Sequence, residues 1–357
     1  MKFLLTAINA KFIHSNPAIY SLRAGVGEKL ETHVELAEFT INESLASILE
    51  GIWKRQPEVI GFSCYIWNWK LIREILTELP KILPDTEIWL GGPEVTYDGP
   101  GLLSEFPQVT GIMVGEGEVT FREVLDQYVR EAESTGQSEQ QPEPDSIEQQ
   151  AADRTGTVTG KTVAERFGQI PGLCLASGYT APRELTDLTT LPFLYEDMEP
   201  FTNRIIYYET SRGCPYRCSY CLSSIDKKVR LRDIDVVKRE LQFFLDQNVK
   251  QVKFIDRTFN CDHRHAMEIW RYIYEHDNGV TNFHFEISAD ILREEEIALL
   301  NRFRPGLAQL EIGVQSTNPE TIRAIHRVMD VDKLENIVAA IHRGQNIHQH
   351  LDLIAGL

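Results

Sequence analysis

The sequence predicts an α/β protein: an N-terminal flavodoxin-like (Rossmann-like), doubly wound domain, followed by a partial (βα) barrel of the TIM type. Two observations predict this class. Short apolar runs alternate with amphipathic helical patterns, which is typical of parallel sheets covered by helices. The alternation occurs twice, on either side of a polar stretch, in a chain of 357 residues that is long enough for two domains.

Residues 1–130 are the first predicted domain, and it contains five apolar runs of strand length. The predicted strands are Phe3–Ile8, Val34–Phe39, Val59–Ser63, Glu87–Leu90 and Gly111–Val114. Amphipathic patterns such as Ser44–Lys54 and Lys70–Lys81 predict helices between the strands. Five strands joined by helices indicate a flavodoxin-like sheet, and such sheets bind ligands beyond the carboxyl ends of their strands.

A polar segment separates the two predicted domains. Residues 131–162 are rich in Glu, Gln, Ser, Thr and Gly and carry almost no large apolar side chains. Such a segment cannot bury enough apolar surface to order itself, so we predict a disordered insert. Residues 163–200 are predicted to form a short β-hairpin and a proline-containing linker.

Residues 201–357 repeat the alternation of strands and helices. The predicted strands are Ile205–Glu209, Gln251–Ile255, Asn282–Ser288, Gln309–Val314 and His350–Ile354. The predicted helices are Ile234–Gln247, His263–His276, Arg293–Phe303, Pro319–Val328 and Val331–Arg343. This is the repeat of a (βα) barrel. The sequence stops directly after the fifth strand pattern, so we expect a barrel truncated there, with its final strands missing.

Composition excludes some classes of protein. The net charge of −17 argues against a uniformly basic face for nucleic acid, so we do not expect nucleic acid as a partner. No apolar run is long enough for a transmembrane helix, and the N-terminal apolar patch is better explained as a buried strand than as a signal peptide. We therefore expect a cytoplasmic protein, where clustered thiols more often hold metal than form disulfides.

Half of the six cysteines lie within eight positions, in the stretch RGCPYRCSYC. Cys214, Cys218 and Cys221 follow the first predicted barrel strand, at the face where barrels bind ligands. A structural zinc site usually takes four protein ligands in C-x2-C pairs, and the spacing here also differs from ferredoxin patterns. Three thiolates on a [4Fe–4S] cluster would leave one iron open for another ligand.

The same stretch resembles the C-x3-C-x-aromatic-C signature of the radical S-adenosylmethionine (SAM) enzymes, with Tyr220 as the aromatic residue. In that family the open iron binds SAM, and an electron from the cluster breaks a sulfur–carbon bond to give a 5′-deoxyadenosyl radical. Further segments resemble the cobalamin-binding subclass of the family. They are GGPEVT and GEGEVTF in the first domain and VKFIDRTFN, FHFEISAD, LEIGVQSTNP and DLIAGL in the barrel.

The resemblance implies roles for barrel residues. Cys214, Cys218 and Cys221 would hold the [4Fe–4S] cluster, with Tyr220 near the adenine of SAM and Asp256 near its amino group. The residues predicted to face the ribose or methionine part of SAM are Glu286, Ser288, Glu311 and Gln315. For these four, an inward-facing polar residue that only fills the barrel interior is the alternative.

The resemblance also implies a cobalamin site in the first domain, and glycines in the loops after its strands would let backbone approach a large ligand. The residues predicted to surround cobalamin are Ser63, Tyr65, Trp67, Gly91, Gly92, Pro93, Glu94, Gly115, Glu116, Gly117 and Glu118. Many cobalamin modules carry D-x-H-x-x-G after the first strand. Here only His14 of that pattern is present, so the lower ligand of cobalt stays open.

The predicted function is that of a cobalamin-dependent radical SAM enzyme that methylates an unactivated carbon, with a second SAM restoring the methyl group on cobalamin. A radical rearrangement or cyclisation without methyl transfer is one alternative, and a cobalamin-binding sensor without catalysis is another. The expected partners are a substrate that the sequence does not identify and an electron donor such as flavodoxin or ferredoxin.

Overall fold

The structure is a computed structural model that describes residues 1–136, 161–226 and 228–357, without the side chains of residues 135 and 136. Most of the predicted disordered insert, residues 137–160, lies outside the described residues. The chain divides into two compact units. Unit 1 comprises Met1–Thr186 and Leu191–Met198, and unit 2 comprises Asp187–Thr190 and Glu199–Leu357. Within the described ranges, no helix has both the length and the apolar character needed to cross a membrane.

Unit 1 is built on a seven-stranded sheet. Its strands are β1 (Phe3–Asn9), β2 (Val34–Thr40), β3 (Val59–Ser63), β4 (Glu87–Gly91), β5 (Val109–Met113), β6 (Leu173–Leu175) and β7 (Gly178–Tyr179). The order is β2-β1-β3-β4-β5-β6-β7, and the first five strands are parallel. This order of parallel strands is flavodoxin-like, so the predicted fold class is confirmed. The predicted hairpin, β6–β7, pairs antiparallel with β5 and extends the sheet.

Helices cover the sheet of unit 1. They are α1 (Pro17–Gly25), α2 (Glu28–Glu31), α3 (Leu45–Trp53), α4 (Trp69–Ile82), α5 (Gly99–Glu105), α6 (Gly117–Gly136) and α7 (Val163–Phe167). In α4 the buried side chains Ile72, Ile75, Leu76 and Leu79 recur at helical spacing and face the core. All seven residues of β1 are buried, as expected for a central strand of a parallel sheet covered on both faces.

Unit 2 contains five parallel strands in sequential order. They are β8 (Ile206–Tyr208), β11 (Gln251–Phe254), β12 (Asn282–Ile287), β13 (Ala308–Gln315) and β14 (His348–Leu353). Two short strands, β9 (Ser211–Arg212) and β10 (Arg230–Leu231), form a separate antiparallel pair that the sequence did not predict. The helices are α8 (Ile234–Asp246), α9 (His263–Glu275), α10 (Glu294–Leu300), α11 (Pro319–Ala324) and α12 (Val331–His342).

Burial alternates along the strands of unit 2. In β13 every second residue is buried, and the residues between are partly exposed. The apolar face of the sheet carries Phe254 and Phe285, whose rings lie 4.5 Å apart and pack against Phe259. The opposite face is polar, which is the arrangement expected where the inner side of a barrel faces a ligand.

One buried cation joins three elements of unit 1. The side chain of Arg166, in α7, is only 2% exposed. It binds Glu87 of β4 at 2.8 Å and Glu131 of α6 at 2.9 Å, and its guanidinium lies over the rings of Tyr128 and Phe167. Because Glu131 and Arg166 lie on either side of residues 137–160, this ion pair fixes α6 and α7 to each other near the amino end of β4.

Replacing Arg166 by Met should destabilise unit 1. The change would leave Glu87 and Glu131 without their cation, and breaking a buried ion pair in this way costs about 3–5 kcal/mol. Arg130→Met is the matched control, because Arg130 is exposed and its pair with Asp126 should contribute less than about 1 kcal/mol. Urea-induced unfolding of both variants tests this. An equal effect of the two substitutions would contradict the role of Arg166.

Candidate functional site

A cavity of about 330 Å³ lies at the carboxyl ends of the parallel strands of unit 1. Residues at the ends of β3, β4 and β5 line one side of it, and residues of α1 and α6 line another. Its wall is mainly apolar, with Tyr65 and Tyr97 at its rim and Glu118 as a buried acid. The position agrees with the rule that open α/β sheets bind ligands at this edge.

Eight of the eleven residues predicted to surround cobalamin line this cavity. They are Ser63, Tyr65, Gly91, Gly92, Pro93, Gly115, Gly117 and Glu118. The other three do not. Trp67 stacks on Tyr65 with ring centroids 4.4 Å apart, and the Glu116 carboxylate accepts a hydrogen bond from the backbone N–H of Thr186. Glu94 donates its backbone N–H to Cys64 in the turn that follows β4.

The glycine at position 92 is required by the fold. Its φ is +112°, a conformation that favours glycine, and a Cβ atom there would lie 2.4 Å from the carbonyl oxygen of Cys64. Gly117, at the start of α6, is different, because its Cβ would meet only the end of the Leu22 side chain, at 3.0 Å. The first of these two glycines therefore shapes the floor of the cavity through the backbone.

Several lining residues come from elements that the sequence did not predict. Ala18, Ile19 and Leu22 lie on α1, which begins with Pro17 and is capped by the side chain of Asn16. The Asn–Pro pair was the available signal, because a capping residue followed by proline is typical of helix starts. His14 is not among the lining residues, and its carbonyl accepts a hydrogen bond from Asn9.

In unit 2 the three clustered cysteines lie on the loop between β9 and β10. Cys214 and Cys218 are buried and Cys221 is partly exposed, and all three are free thiols. The loop is closed at its base by the hydrogen bond from the Cys214 N–H to the carbonyl of Asp226. Gly213 has a φ of +99°, and a Cβ there would lie 2.5 Å from the carbonyl oxygen of Lys228, so a glycine must precede Cys214.

These thiols do not form a site for a single ion. Among the side chains that the structure describes, no three of His, Cys, Asp or Glu are grouped closely enough to hold one metal ion. A [4Fe–4S] cluster sets a different requirement, because its thiolate ligands bind different iron atoms.

Asp256 anchors the start of the cysteine loop. Its carboxylate, 1% exposed, accepts hydrogen bonds from the Thr210 N–H at 3.1 Å, the Thr210 hydroxyl at 2.7 Å and the Ser211 hydroxyl at 2.5 Å. Burial raises the pKa of Asp256 to about 6, although these hydrogen bonds act in the opposite direction. The predicted contact of Asp256 with SAM stays a prediction, because protein donors occupy this carboxylate here.

A second set of hydrogen bonds connects the cysteine loop to the end of β12. The Tyr216 hydroxyl lies 3.4 Å from the Ser288 hydroxyl, which donates to buried Asp290 at 2.8 Å. Asn260 bonds both the N–H and the carbonyl of Ser288. Ser288 was a predicted site residue, whereas its three partners were not, because nothing in their spacing along the chain indicates that they meet.

The predicted acids Glu286 and Glu311 lie opposite each other on the polar face of the sheet. Glu311 lies 2.9 Å from Lys253 and 2.8 Å from His284, and these bonds lower its pKa to about 2. Among the described residues, the one ion pair of Glu286 is a longer contact with Lys253, at 3.6 Å, and burial raises the pKa of Glu286. The Glu311 carboxylate is thus bound by Lys253 and His284, while the Glu286 carboxylate retains capacity to accept hydrogen bonds from a ligand.

Tyr220 and Gln315 complete the predicted SAM residues. Tyr220 is 40% exposed on the cysteine loop. Gln315 ends β13 in a left-handed conformation, with a φ of +66°, and its side-chain carbonyl is buried without a hydrogen-bond partner among the described residues. An unsatisfied buried acceptor is costly, so this position would gain from a ligand that donates a hydrogen bond.

Comparison with known families matches each unit to one model. The B12 binding domain model matches residues 4–125, and the radical SAM superfamily model matches residues 208–357. The chain is a radical SAM protein with a B12-binding domain. The family predicted from the cysteine signature and the glycine loops is therefore confirmed. The cofactors that the family implies, cobalamin, SAM and a [4Fe–4S] cluster, are confirmed with it.

Individual relatives of this radical SAM protein are distant. It is 26% identical over 321 residues to a 2-(S-pantetheinyl)-carbapenam-3-carboxylate methyltransferase from Streptantibioticus cattleyicolor. The aligned region covers 84% of this chain and 42% of that protein. It is 24% identical over 333 residues to the cobalamin-dependent radical SAM methyltransferase TokK from Streptomyces tokunonensis. That aligned region covers 85% of this chain and 43% of TokK. The chain thus spans less than half the length of either relative.

The fold of this radical SAM protein is also found in a solved structure. The structure of the cobalamin-dependent SAM radical enzyme OxsB with aqua-cobalamin bound superposes with a TM-score of 0.72 at 15% identity, covering 98% of this chain and 49% of that one. At this identity the likeness concerns the fold, and it supports both the doubly wound domain and the second parallel sheet.

The residues of both units fit the implied cofactors. Three free thiols on one loop after β8 are the ligand type that iron–sulfur clusters use in proteins. In the B12-binding domain, the cavity at the strand ends offers a mainly apolar wall, and Gly92 lines it with backbone alone. The donor chemistry and the cavity therefore agree with the family.

Asp256→Asn should change how stability depends on pH. An aspartate in the unfolded chain has a pKa of about 3.9, and burial raises the folded value to about 6. The native state therefore binds more protons than the unfolded chain between about pH 4 and pH 6, and the free energy of unfolding falls as the pH rises through that window. Relative to the variant, the wild type should lose up to about 2 kcal/mol across it.

Urea-induced unfolding of the wild type and Asp256→Asn at a series of pH values measures this difference. Taking the difference removes the contribution of other titrating groups that the two proteins share. A difference that stays constant between pH 4 and pH 6.5 would show that the carboxyl ionises alike in the folded and unfolded chains.

Proposed function

We propose that this chain is a cobalamin-dependent radical SAM methyltransferase that acts on an unactivated carbon. The observation that carries the proposal is the presence, in one chain, of a cavity at the strand ends of a B12-binding domain and three free thiols on the loop after the first strand of a radical SAM domain. The two named relatives, both methyltransferases, support the reaction type.

In the first unit, the residues that line the cavity would hold cobalamin. The Gly92 turn brings backbone to the floor of the cavity, and a larger residue there would collide with Cys64. Tyr65 is stacked on Trp67, so an aromatic surface lies at the rim. Trp67 is 46% exposed, which leaves it available to cover a large ligand.

In the second unit, Cys214, Cys218 and Cys221 would hold the cluster. When bound, the cluster and SAM supply a carbon-centred radical, and cobalamin supplies the methyl group. The chain positions these groups: Asp256 fixes the loop that carries the thiols, and Ser288 connects that loop to β12. Glu286 and Gln315, which retain unsatisfied capacity on the polar face, would orient SAM, and Tyr220 would lie beside its adenine.

The proposal does not assign the substrates of the two relatives to this chain. The chain spans 42% and 43% of their lengths, so segments that bind their substrates can lie outside the compared region. An external one-electron donor, such as flavodoxin or ferredoxin, belongs to the proposal as well, because radical formation from SAM consumes one electron for each molecule cleaved.

Anaerobic reconstitution followed by product analysis tests the proposed function. About four irons and four sulfides per chain are expected, on the stoichiometry of a cubane cluster. With SAM, cobalamin, a strong reductant and a substrate, a methyltransferase gives both 5′-deoxyadenosine and S-adenosylhomocysteine. Cys218→Ala should abolish formation of 5′-deoxyadenosine, because it removes one of three cluster ligands. Cys174→Ala, which alters a cysteine on β6 of unit 1, is the control and should retain it.

The products also separate the alternatives. 5′-Deoxyadenosine without S-adenosylhomocysteine would point to a rearrangement or cyclisation, and neither product with cobalamin bound would point to a sensor. Bound zinc without iron–sulfur absorbance would overturn the proposal altogether.

Filling the cavity should weaken cobalamin binding. Ala18, on α1, lines the cavity, so the indole of an Ala18→Trp variant would occupy space needed by the cofactor. We expect the dissociation constant to rise roughly tenfold or more, because a bulky side chain in a preformed pocket displaces its ligand. Ala24→Trp is the matched control, since Ala24 lies on the same helix but does not line the cavity.

An anaerobic titration followed by absorbance gives both dissociation constants. The iron content of each variant, measured in parallel, should equal that of the wild type, because both substitutions lie in the other unit. Equal affinity of Ala18→Trp and the wild type would place cobalamin elsewhere.

A further inference from the structure

A single arginine reaches one of the cluster cysteines from outside the cysteine loop. Arg327 follows α11, and its Nη1 donates a hydrogen bond to the Sγ atom of Cys218 at 3.9 Å. Its Nη2 donates to the carbonyl oxygen of Gly313, near the end of β13. The guanidinium therefore connects the cysteine loop with the strand end on the polar side of the sheet.

Backbone contacts fix Arg327 in this position. The N–H of Ser219, next to Cys218, donates to the carbonyl of Ile325 at 2.9 Å. Ile322 and Ile325 are buried and hold α11 against the unit. His326 adopts a φ of +55°, a left-handed conformation that is uncommon for residues other than glycine. This turn ends the helix and directs the next residue back toward the loop.

The positive charge of Arg327 is not neutralised by a nearby acid. Among the described residues it forms no ion pair, and its Nε–H is buried without a hydrogen-bond partner. A partly buried charge without a counter-charge is unfavourable unless another group compensates for it. Among the described residues, Arg327 donates a side-chain hydrogen bond to Cys218, whose thiolate would be negative when it holds iron.

We propose that Arg327 is a positioning residue for the cluster and raises its reduction potential through a charged N–H···S hydrogen bond to Cys218. Hydrogen bonds to the sulfur atoms and nearby charge are among the factors that set the potential of an iron–sulfur cluster. Adding one electron to the oxidised cluster makes it more negative by one charge, so a fixed guanidinium stabilises the reduced form more than the oxidised form. The inference rests on the proposed function, because it assumes that Cys218 is a cluster ligand.

The test is a redox titration of the reconstituted full chain, monitored by electron paramagnetic resonance, without SAM. Leaving SAM out ensures that any effect comes from the cluster and not from a ligand bound to it. At the potential where the wild-type cluster is half reduced, Arg327→Met should lower the ratio of reduced to oxidised cluster about tenfold, which corresponds to about 59 mV for one electron. Arg327→Lys, which keeps the charge but lacks the planar pair of donors, should give a smaller shift.

The matched control is Arg323→Met, which removes an exposed arginine from α11 itself and should leave the potential unchanged. If Arg327→Met keeps the wild-type melting temperature but no longer holds four irons, the positioning role is supported. If it melts early, Arg327→Gln replaces it in the titration, because the amide keeps a polar N–H donor but carries no charge.

The outcomes separate this inference from the function on which it rests. A wild-type chain that holds no [4Fe–4S] cluster would overturn the proposed function. A wild-type chain that holds the cluster, beside neutral Arg327 variants with full iron content and an unchanged potential, would overturn only the role of Arg327.

Discussion

The geometry of unit 2 depends on the hydrogen bonds that the buried carboxylate of Asp256 accepts. This carboxylate lies at the end of β11 and accepts three hydrogen bonds from Thr210 and Ser211, the residues that lead from β8 into the cysteine loop. Burying a carboxylate is unfavourable, which is why its pKa is raised, and the three donors offset that cost only in one arrangement of the chain. The loop therefore begins from a fixed point, and its remaining contacts, with β12 and with the segment after α11, start from a defined geometry.

In unit 1, close packing of backbone atoms shapes the candidate site. The turn at Gly92 lies against Cys64, and the absence of a side chain lets two strand ends approach closely. At the amino end of β4, the ion pairs of Arg166 join β4, α6 and α7. The cavity is thus formed by close backbone packing, whereas the cysteine loop is held by hydrogen bonds to a buried acid.

Much of the fold could be predicted from the sequence because the repeating patterns are strong. The strand Val59–Ser63 has the predicted bounds, and α4 differs from its prediction by one residue at each end. The two-residue strands β9 and β10 were missed because they are too short to show a period and because their paired residues, Arg212 with Arg230 and Ser211 with Leu231, are far apart in the chain. The helix α1 was missed because its apolar face is short and its only signals lie at its start.

The candidate site was predictable where its residues are adjacent in the chain, as in the cysteine loop and the two glycine loops. It was not predictable where residues from different strands meet. The pairing of Glu311 with Lys253 and His284 depends on the register of three strands, and register is set by the packing of the opposite face. The contact of Arg327 with Cys218 spans 109 positions and depends on how α11 ends.

The ion pair between Arg166 and Glu131 also has a consequence for the evolution of chain length. Because it fixes the chain on both sides of residues 137–160, a change in the number of residues there need not strain the sheet. A marker inserted between Glu131 and Arg166 would therefore be flanked on both sides by residues of one ion pair, and the altered stretch would contain neither the residues that line the cavity nor the cysteine loop.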